Sequence, residues 1–120
     1  MGKICKAFGF SMKKIIDIRG TIFYYNKNGE RHREDGPAVE YTNGDKYWFK
    51  NNKYHRENGP AIEFADGEKH WFKNGKLHRE DGPAVEYVDG EKEYWYNDID
   101  YSEIKTDEEW IRFIKLIIFQ

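Results

Sequence analysis

The string H-R-E-D-G-P-A occupies residues 32–38, returns as H-R-E-N-G-P-A from His55, and appears again as H-R-E-D-G-P-A from His78. The copies therefore begin 23 residues apart. A fixed period between about 20 and 50 residues is typical of repeat proteins, in which each unit buries its apolar side mainly against its neighbours. We therefore predict an elongated stack of similar units.

Each unit reads as a β-hairpin. The copies align over residues 36–58, 59–81 and 82–104, and each contains a turn dipeptide: Asn43-Gly44, Asp66-Gly67 or Asp89-Gly90. Such dipeptides favour a two-residue type I′ turn. That turn would place Val39 opposite Trp48. A partial unit precedes the first full one, so we predict about four stacked hairpins over residues 20–101.

We expect one domain over residues 1–120. Residues 1–19 are basic and are predicted to form an N-terminal strand segment. Thr106 and Glu109 have the spacing of a capping box, and apolar residues follow at helical intervals, which predicts a helix over residues 106–119. This mainly β fold would be an elongated antiparallel sheet closed by that C-terminal helix. We keep open a homodimer formed through the same helix.

The composition excludes several classes of protein. Net charge is −2 and 35% of residues are charged, whereas nucleic-acid binders are usually basic, so no sequence-specific nucleic-acid binding is expected. The single Cys5 cannot form an intramolecular disulfide, which fits a reducing compartment such as the cytoplasm, or the host cytoplasm for a phage-encoded chain. There is neither an apolar stretch long enough to span a bilayer nor a secretory signal pattern.

The sequence predicts no enzyme. It lacks a nucleophile–base–acid set, a glycine-rich phosphate loop and a Cys-His ligand set, so we expect no catalytic residues, cofactor or metal. The recurring His32, His55 and His78 would lie about 10 Å apart, too far to share one ion. We interpret them as packing residues. The arginines that follow them, Arg33, Arg56 and Arg79, are interpreted as stacked groups paired with neighbouring acids; the alternative is a row of arginines that binds carboxylate or phosphate.

Two sets of side chains are candidate partner-binding residues. Aromatic residues dominate interface hot spots, and one side of the predicted sheet carries Tyr47, Phe49, Phe72 and Trp95. The alternative is that the N-terminal segment, with Phe8, Phe10 and Met12, covers this side. The second set is a row of acids near the first turns, a candidate for binding a basic groove on a partner: Asp66, Glu68, Asp89 and Glu91. The alternative is that the charged turns only block pairing at the sheet edge.

The 23-residue unit, with its Y/F-x-x-G-x-x-x-W/Y-F spacing and N-G-K turn, resembles the MORN repeat, and in particular its divergent bacterial and viral variant. The resemblance covers residues 20–101. It implies a hairpin-stacked sheet that serves as an interaction scaffold. Membrane-lipid binding is described for some relatives, but we do not expect it here.

These observations favour a non-enzymatic module that binds a macromolecule, in our interpretation another protein. The Lys-, Asn- and Ile-rich composition suggests an AT-rich genome. Together with the resemblance, it leads to the hypothesis of a phage- or bacterium-encoded inhibitor of a host effector, such as a CRISPR nuclease. Two alternatives stay open: a structural, self-assembling scaffold repeat, and a peripheral membrane-lipid binder that uses the basic N-terminus.

Overall fold

The computed structural model describes the backbone of residues 2–7 and 10–118 and the side chains of residues 12–118. The chain folds into a nine-stranded antiparallel sheet, three small two-stranded hairpins and one C-terminal helix. It extends 48 × 33 × 18 Å, so the fold is elongated. The predicted mainly β architecture with a C-terminal helix is confirmed.

The main sheet contains, in spatial order, β1 (Gly2–Ala7), β2 (Phe10–Ile16), β3 (Ile22–Tyr25), β4 (Val39–Glu40), β5 (Lys46–Tyr47), β8 (Ile62–Glu63), β9 (Lys69–His70), β12 (Val85–Glu86) and β13 (Lys92–Glu93). The small hairpins pair β6 (Phe49–Lys50) with β7 (Lys53–Tyr54), β10 (Phe72–Lys73) with β11 (Lys76–Leu77), and β14 (Trp95–Tyr96) with β15 (Ile99–Asp100). Helix α1 spans Asp107–Ile118; residue 119 of the predicted helix lies outside the described residues.

The first turn of each unit is a three-residue loop. The Gly44 N–H donates to the Tyr41 carbonyl at 3.0 Å, and the Tyr41 N–H donates to the Asp45 carbonyl at 3.0 Å. Gly44 has a φ of +102°, so a type I turn is followed by one left-handed residue. The other units repeat this pattern at Phe64 and Tyr87. The predicted two-residue type I′ turn is therefore wrong at this position.

The longer loop shifts the pairing register by one residue. Val39 lies opposite Tyr47 and not opposite Trp48, as the type I′ turn would require. Because side chains alternate across a strand, this shift moves Tyr47 to the side of Val39 and Trp48 to the other side. The predicted grouping of Val39 with Trp48 is thus corrected.

The second turn of each unit is the type I′ turn. Asn51 and Asn52 have φ values of 49° and 70° between the paired Lys50 and Lys53. Asn74 and Gly75 occupy the same places in the next unit, with φ values of 51° and 83°. Positive φ at both central residues defines this turn, and Asn and Gly adopt it at little cost.

The C-terminal helix closes the last unit. Glu109 N–H donates to Thr106 Oγ1 at 3.2 Å and the hydroxyl donates back to the Glu109 carboxylate at 3.1 Å, which forms part of a capping box. Trp110 is 0% exposed and packs against Tyr94, with ring centroids 5.5 Å apart. Its indole N–H donates to the Arg79 carbonyl at 3.0 Å. The helix therefore covers the end of the repeat stack.

We expect Trp110→Ala to lower the free energy of unfolding by about 3–5 kcal/mol, because it deletes a buried aromatic side chain. Urea denaturation followed by circular dichroism would measure this. The control is Leu116→Ala on the same helix, where the side chain is 65% exposed and the change should stay within about 0.5 kcal/mol. Equal effects of the two substitutions would contradict the capping role.

Candidate binding surfaces

One side of the sheet, which we call the aromatic face, carries a row of residues that lie opposite one another on adjacent central strands. Directly opposed residues point to the same side of a sheet. The row consists of Phe23, Val39, Tyr47, Ile62, His70, Val85 and Glu93. All four aromatic residues predicted to bind a partner lie on this face, since Phe49, Phe72 and Trp95 lie two residues beyond members of the row.

The aromatic rings form a connected network that spans the first two full units. Tyr47 contacts Tyr41 and Phe64 edge-on, with centroids 5.5 and 6.1 Å away. Tyr54 packs against Phe49 at 4.6 Å and against Phe72 at 5.1 Å. Tyr47 and Tyr54 lie 6.1 Å apart and join the two sets, so the rings of these two units form one connected cluster.

The rings differ in how much they offer to a partner. Phe49 is 7% exposed and belongs to the core, whereas Tyr47, Phe72 and Trp95 are partly exposed. Sequence reasoning missed Tyr41, which is 42% exposed on this face. The register shift explains the omission, because the predicted type I′ turn placed Tyr41 and Val39 on the side opposite to Tyr47.

The predicted acidic row borders the aromatic face. Glu68 bonds to His70 Nε2 at 2.6 Å, and the His70 ring lies edge-on to Phe64. Asp66 and Asp89 use one carboxylate oxygen to accept the backbone N–H two residues on, as in an Asx turn. Glu91 is exposed at the same edge. The two predicted sets of partner-binding residues therefore form one surface.

The third unit adds a carboxylate within the aromatic face. Glu93 occupies the position of Tyr47 and His70, and it accepts the Tyr87 hydroxyl at 2.8 Å and the Trp95 indole N–H at 2.9 Å. The hydrogen bond to Glu93, burial and the negative charge of Glu93 raise the pKa of Tyr87 to about 12. Negative charge on this face is thus concentrated toward its C-terminal end.

The N-terminal segment extends the sheet sideways: β2 pairs with β3, and β1 pairs with β2. Phe8 and the side chain of Phe10, which would cover the aromatic face in the alternative interpretation, lie outside the described residues. The lysines of the second turns are exposed; they are Lys50, Lys53, Lys73 and Lys76.

The opposite side of the sheet, the arginine face, carries the repeated motif. The Arg33, Arg56 and Arg79 guanidinium groups lie 4.0, 3.9 and 4.0 Å from the ring centroids of Tyr24, Trp48 and Trp71, respectively. A Cβ added to Gly36, Gly59 or Gly82 would lie 2.8–2.9 Å from the guanidinium carbon. Each arginine is therefore held between an aromatic ring and a glycine, which explains the invariant spacing of the motif.

The motif also provides the polar partners of each arginine. Arg79 Nη1 donates to the Pro83 carbonyl at 3.1 Å and to Glu86 at 3.0 Å. We expected the arginines to pair with neighbouring acids, and Arg33 and Arg79 do so through Nε, with Asp35 and Asp81. All three arginines also donate to the glutamates seven residues on: Glu40, Glu63 and Glu86. These glutamates alternate across the sheet with Lys46, Lys69 and Lys92, which forms a ladder of opposite charges.

The histidines connect successive units. His55 Nδ1 accepts the backbone N–H of Asn74 at 2.9 Å, so the neutral ring carries its proton on Nε2, which bonds to Glu57. His32 and His78 make the equivalent bonds to Asn51 and Asn97. These contacts agree with a packing role. Within the part of the chain that the structure describes, no cluster of His, Cys, Asp and Glu side chains is arranged to hold a metal ion.

Two equivalent grooves lie between successive copies of the motif, with volumes of about 540 and 560 Å³. Arg56, Glu57 and Asn58 line both grooves. Lys50 lines the first groove and Lys73 lines the second. The grooves are a second candidate surface, which sequence reasoning did not identify. Phe49 lines the first groove and Phe72 lines the second, so the grooves adjoin the aromatic face.

Comparisons with protein families, characterised proteins and solved structures found no match to this chain. The single helix in the described residues is too short and too polar to cross a membrane.

The raised pKa of Tyr87 gives a testable pH dependence. Because its pKa rises from 10.0 to about 12 on folding, the neutral phenol stabilises the fold fully below pH 10, and this contribution is lost as the pH rises through 12. We expect the stability gap between wild type and Tyr87→Phe to be constant below pH 10 and to narrow between pH 10 and 12. Urea denaturation at a series of pH values would measure the gap. A gap that does not change with pH would contradict the Tyr87–Glu93 bond.

Proposed function

We propose that this chain is a non-enzymatic, MORN-like repeat module that binds another protein through the aromatic face and its acidic border. The observation that supports this is that the predicted aromatic residues and the predicted acidic residues lie on one surface. Large amphipathic rings provide contact area at low entropic cost, and the carboxylates provide orientation. The proposed partner therefore presents a basic segment.

The charge distribution favours one orientation of that segment. Arg31 lies over the Phe23 and Phe49 rings, 5.8 and 5.6 Å from their centroids, at the N-terminal end of the face. Glu91 and Glu93 lie at the other end. Cations of the partner would therefore bind near Tyr87, where both carboxylates and a ring are available.

The biological context of the proposal is inhibition of a host effector by a phage- or bacterium-encoded protein. Effectors that hold nucleic acid, CRISPR nucleases among them, use positively charged channels. An acidic and aromatic surface is complementary to such a channel. The support for this context is this complementarity, the composition and the repeat resemblance.

Affinity capture from a bacterial host lysate, followed by titration of the purified partner, tests the proposal. We expect Asp89→Lys/Glu91→Lys to weaken binding by about tenfold or more, because it reverses two charges in the acidic border. The matched control, Lys53→Glu/Lys76→Glu, reverses two exposed charges at the second turns and should bind like wild type. Circular dichroism would verify that both variants fold.

Binding should also weaken as salt concentration rises, since charges at the rim of an interface are screened. Equal binding by wild type and by Asp89→Lys/Glu91→Lys would contradict the proposed surface. Recovery of the bait alone, together with larger assemblies in light scattering, would support a self-assembling scaffold instead.

A further inference from the structure

The middle copy of the motif differs from its neighbours at one position. Arg33 Nε donates to Asp35 at 3.0 Å, and Arg79 Nε donates to Asp81 at 2.9 Å. Asn58 occupies this position in the middle copy, and no side chain or carbonyl in residues 12–118 accepts from Arg56 Nε. The fold therefore shows twice where a carboxylate binds this arginine, and the middle copy lacks that carboxylate.

The Arg56 guanidinium is nevertheless held in the same place. It lies 3.9 Å from the Trp48 ring centroid, and its Nη1 donates to the Pro60 carbonyl at 3.1 Å and to Glu63 at 2.9 Å. Its side chain is 28% exposed, compared with 21% for Arg33 and 22% for Arg79. A ligand would meet a donor that is already ordered, which lowers the entropic cost of binding.

The surroundings of Arg56 favour an anion. Arg56 and Asn58 line both grooves, and each groove contributes a lysine, Lys50 or Lys73. The grooves are also lined by acids, but each of these carboxylates is bound to a histidine or an arginine; they are Glu34, Asp35, Glu57, Glu80 and Asp81. The hydrogen bond to His55 lowers the pKa of Glu57, and the positive charges of Lys73 and Lys50 act in the same direction.

We propose that Arg56 Nε, with the Asn58 amide beside it, is a binding site for one oxyanion of a ligand, a carboxylate or a phosphate group. The anion would take the place that the Asp35 and Asp81 carboxylates occupy in the flanking copies. Replacing Asp by Asn removes a negative charge and exchanges one acceptor oxygen for an amide group with two N–H donors. The donors of this site belong to the arginine face, and Phe72 of the aromatic face lines the same groove.

Proton–nitrogen correlation NMR of the arginine Nε–H groups tests the site directly. The full chain is titrated with sodium acetate or with inorganic phosphate, with chloride balancing the ionic strength. We expect the Arg56 Nε–H resonance to move and saturate, while those of Arg33 and Arg79 stay near their starting positions. The anion for which the shift saturates at the lower concentration shows whether the site prefers a carboxylate or a phosphate group.

Three variants serve as internal controls. Asn58→Asp restores the carboxylate of the flanking copies, so it should fold normally and abolish the saturable shift of Arg56. Asp35→Asn should create the same response at Arg33, which wild type lacks. Lys73→Gln should raise several-fold the anion concentration needed to half-saturate the Arg56 resonance, because it removes a positive charge and leaves Arg56 and Asn58 unchanged.

Two results would overturn the proposal. One is a response at Arg56 that rises linearly with both anions, without saturation. The other is an equal response at Arg33, Arg56 and Arg79 in wild type, because the Asp-to-Asn difference would then have no effect. Both results are independent of whether the aromatic face binds a protein.

Discussion

Each unit is joined to the next by one arginine side chain held between an aromatic ring and a glycine. Arg56 stacks on Trp48 in one copy and donates to Pro60 and Glu63 of the following copy. The buried Ala61, which is 0% exposed, follows directly after Pro60. Because the planar guanidinium stacks and donates at the same time, lysine could not replace it. The composition of the motif follows from this single interaction.

The first and the last unit of the stack are closed by different contacts. At the start, Tyr24 serves as the ring beneath Arg33. At the end, Tyr94 occupies the place of Trp48 and Trp71. No arginine follows Tyr94 at the repeat spacing, and Trp110 of the C-terminal helix packs against the Tyr94 ring instead. Burial and the hydrogen bond to Asp107 raise the pKa of Tyr94, in agreement with a sealed end. Terminal repeats generally need such caps, since an uncovered unit exposes apolar surface.

The period, the hairpins and the helix could be predicted from the sequence, because each has a local signal. The register could not, since Asn43-Gly44 fits both a two-residue turn and the end of a three-residue loop. The hydrogen bonds that define the longer loop join backbone groups of Tyr41, Gly44 and Asp45, so they are not a pattern of residue types. This one-residue difference placed Tyr47 on the same side of the sheet as Val39 and Tyr41. The arginine stacking was foreseen, but its glutamate partners depend on cross-strand packing.

The most direct test of this account is a double-mutant cycle between Arg79 and Trp71, with Arg79→Met, Trp71→Leu and the double variant measured by urea denaturation. Methionine and leucine keep apolar volume and remove the stacking of charge on the ring. We predict a coupling free energy of about 1–2 kcal/mol, as expected for a partly desolvated cation–π pair. A coupling below about 0.3 kcal/mol would contradict the claim that the ring holds the arginine in the position from which it bonds to the next unit.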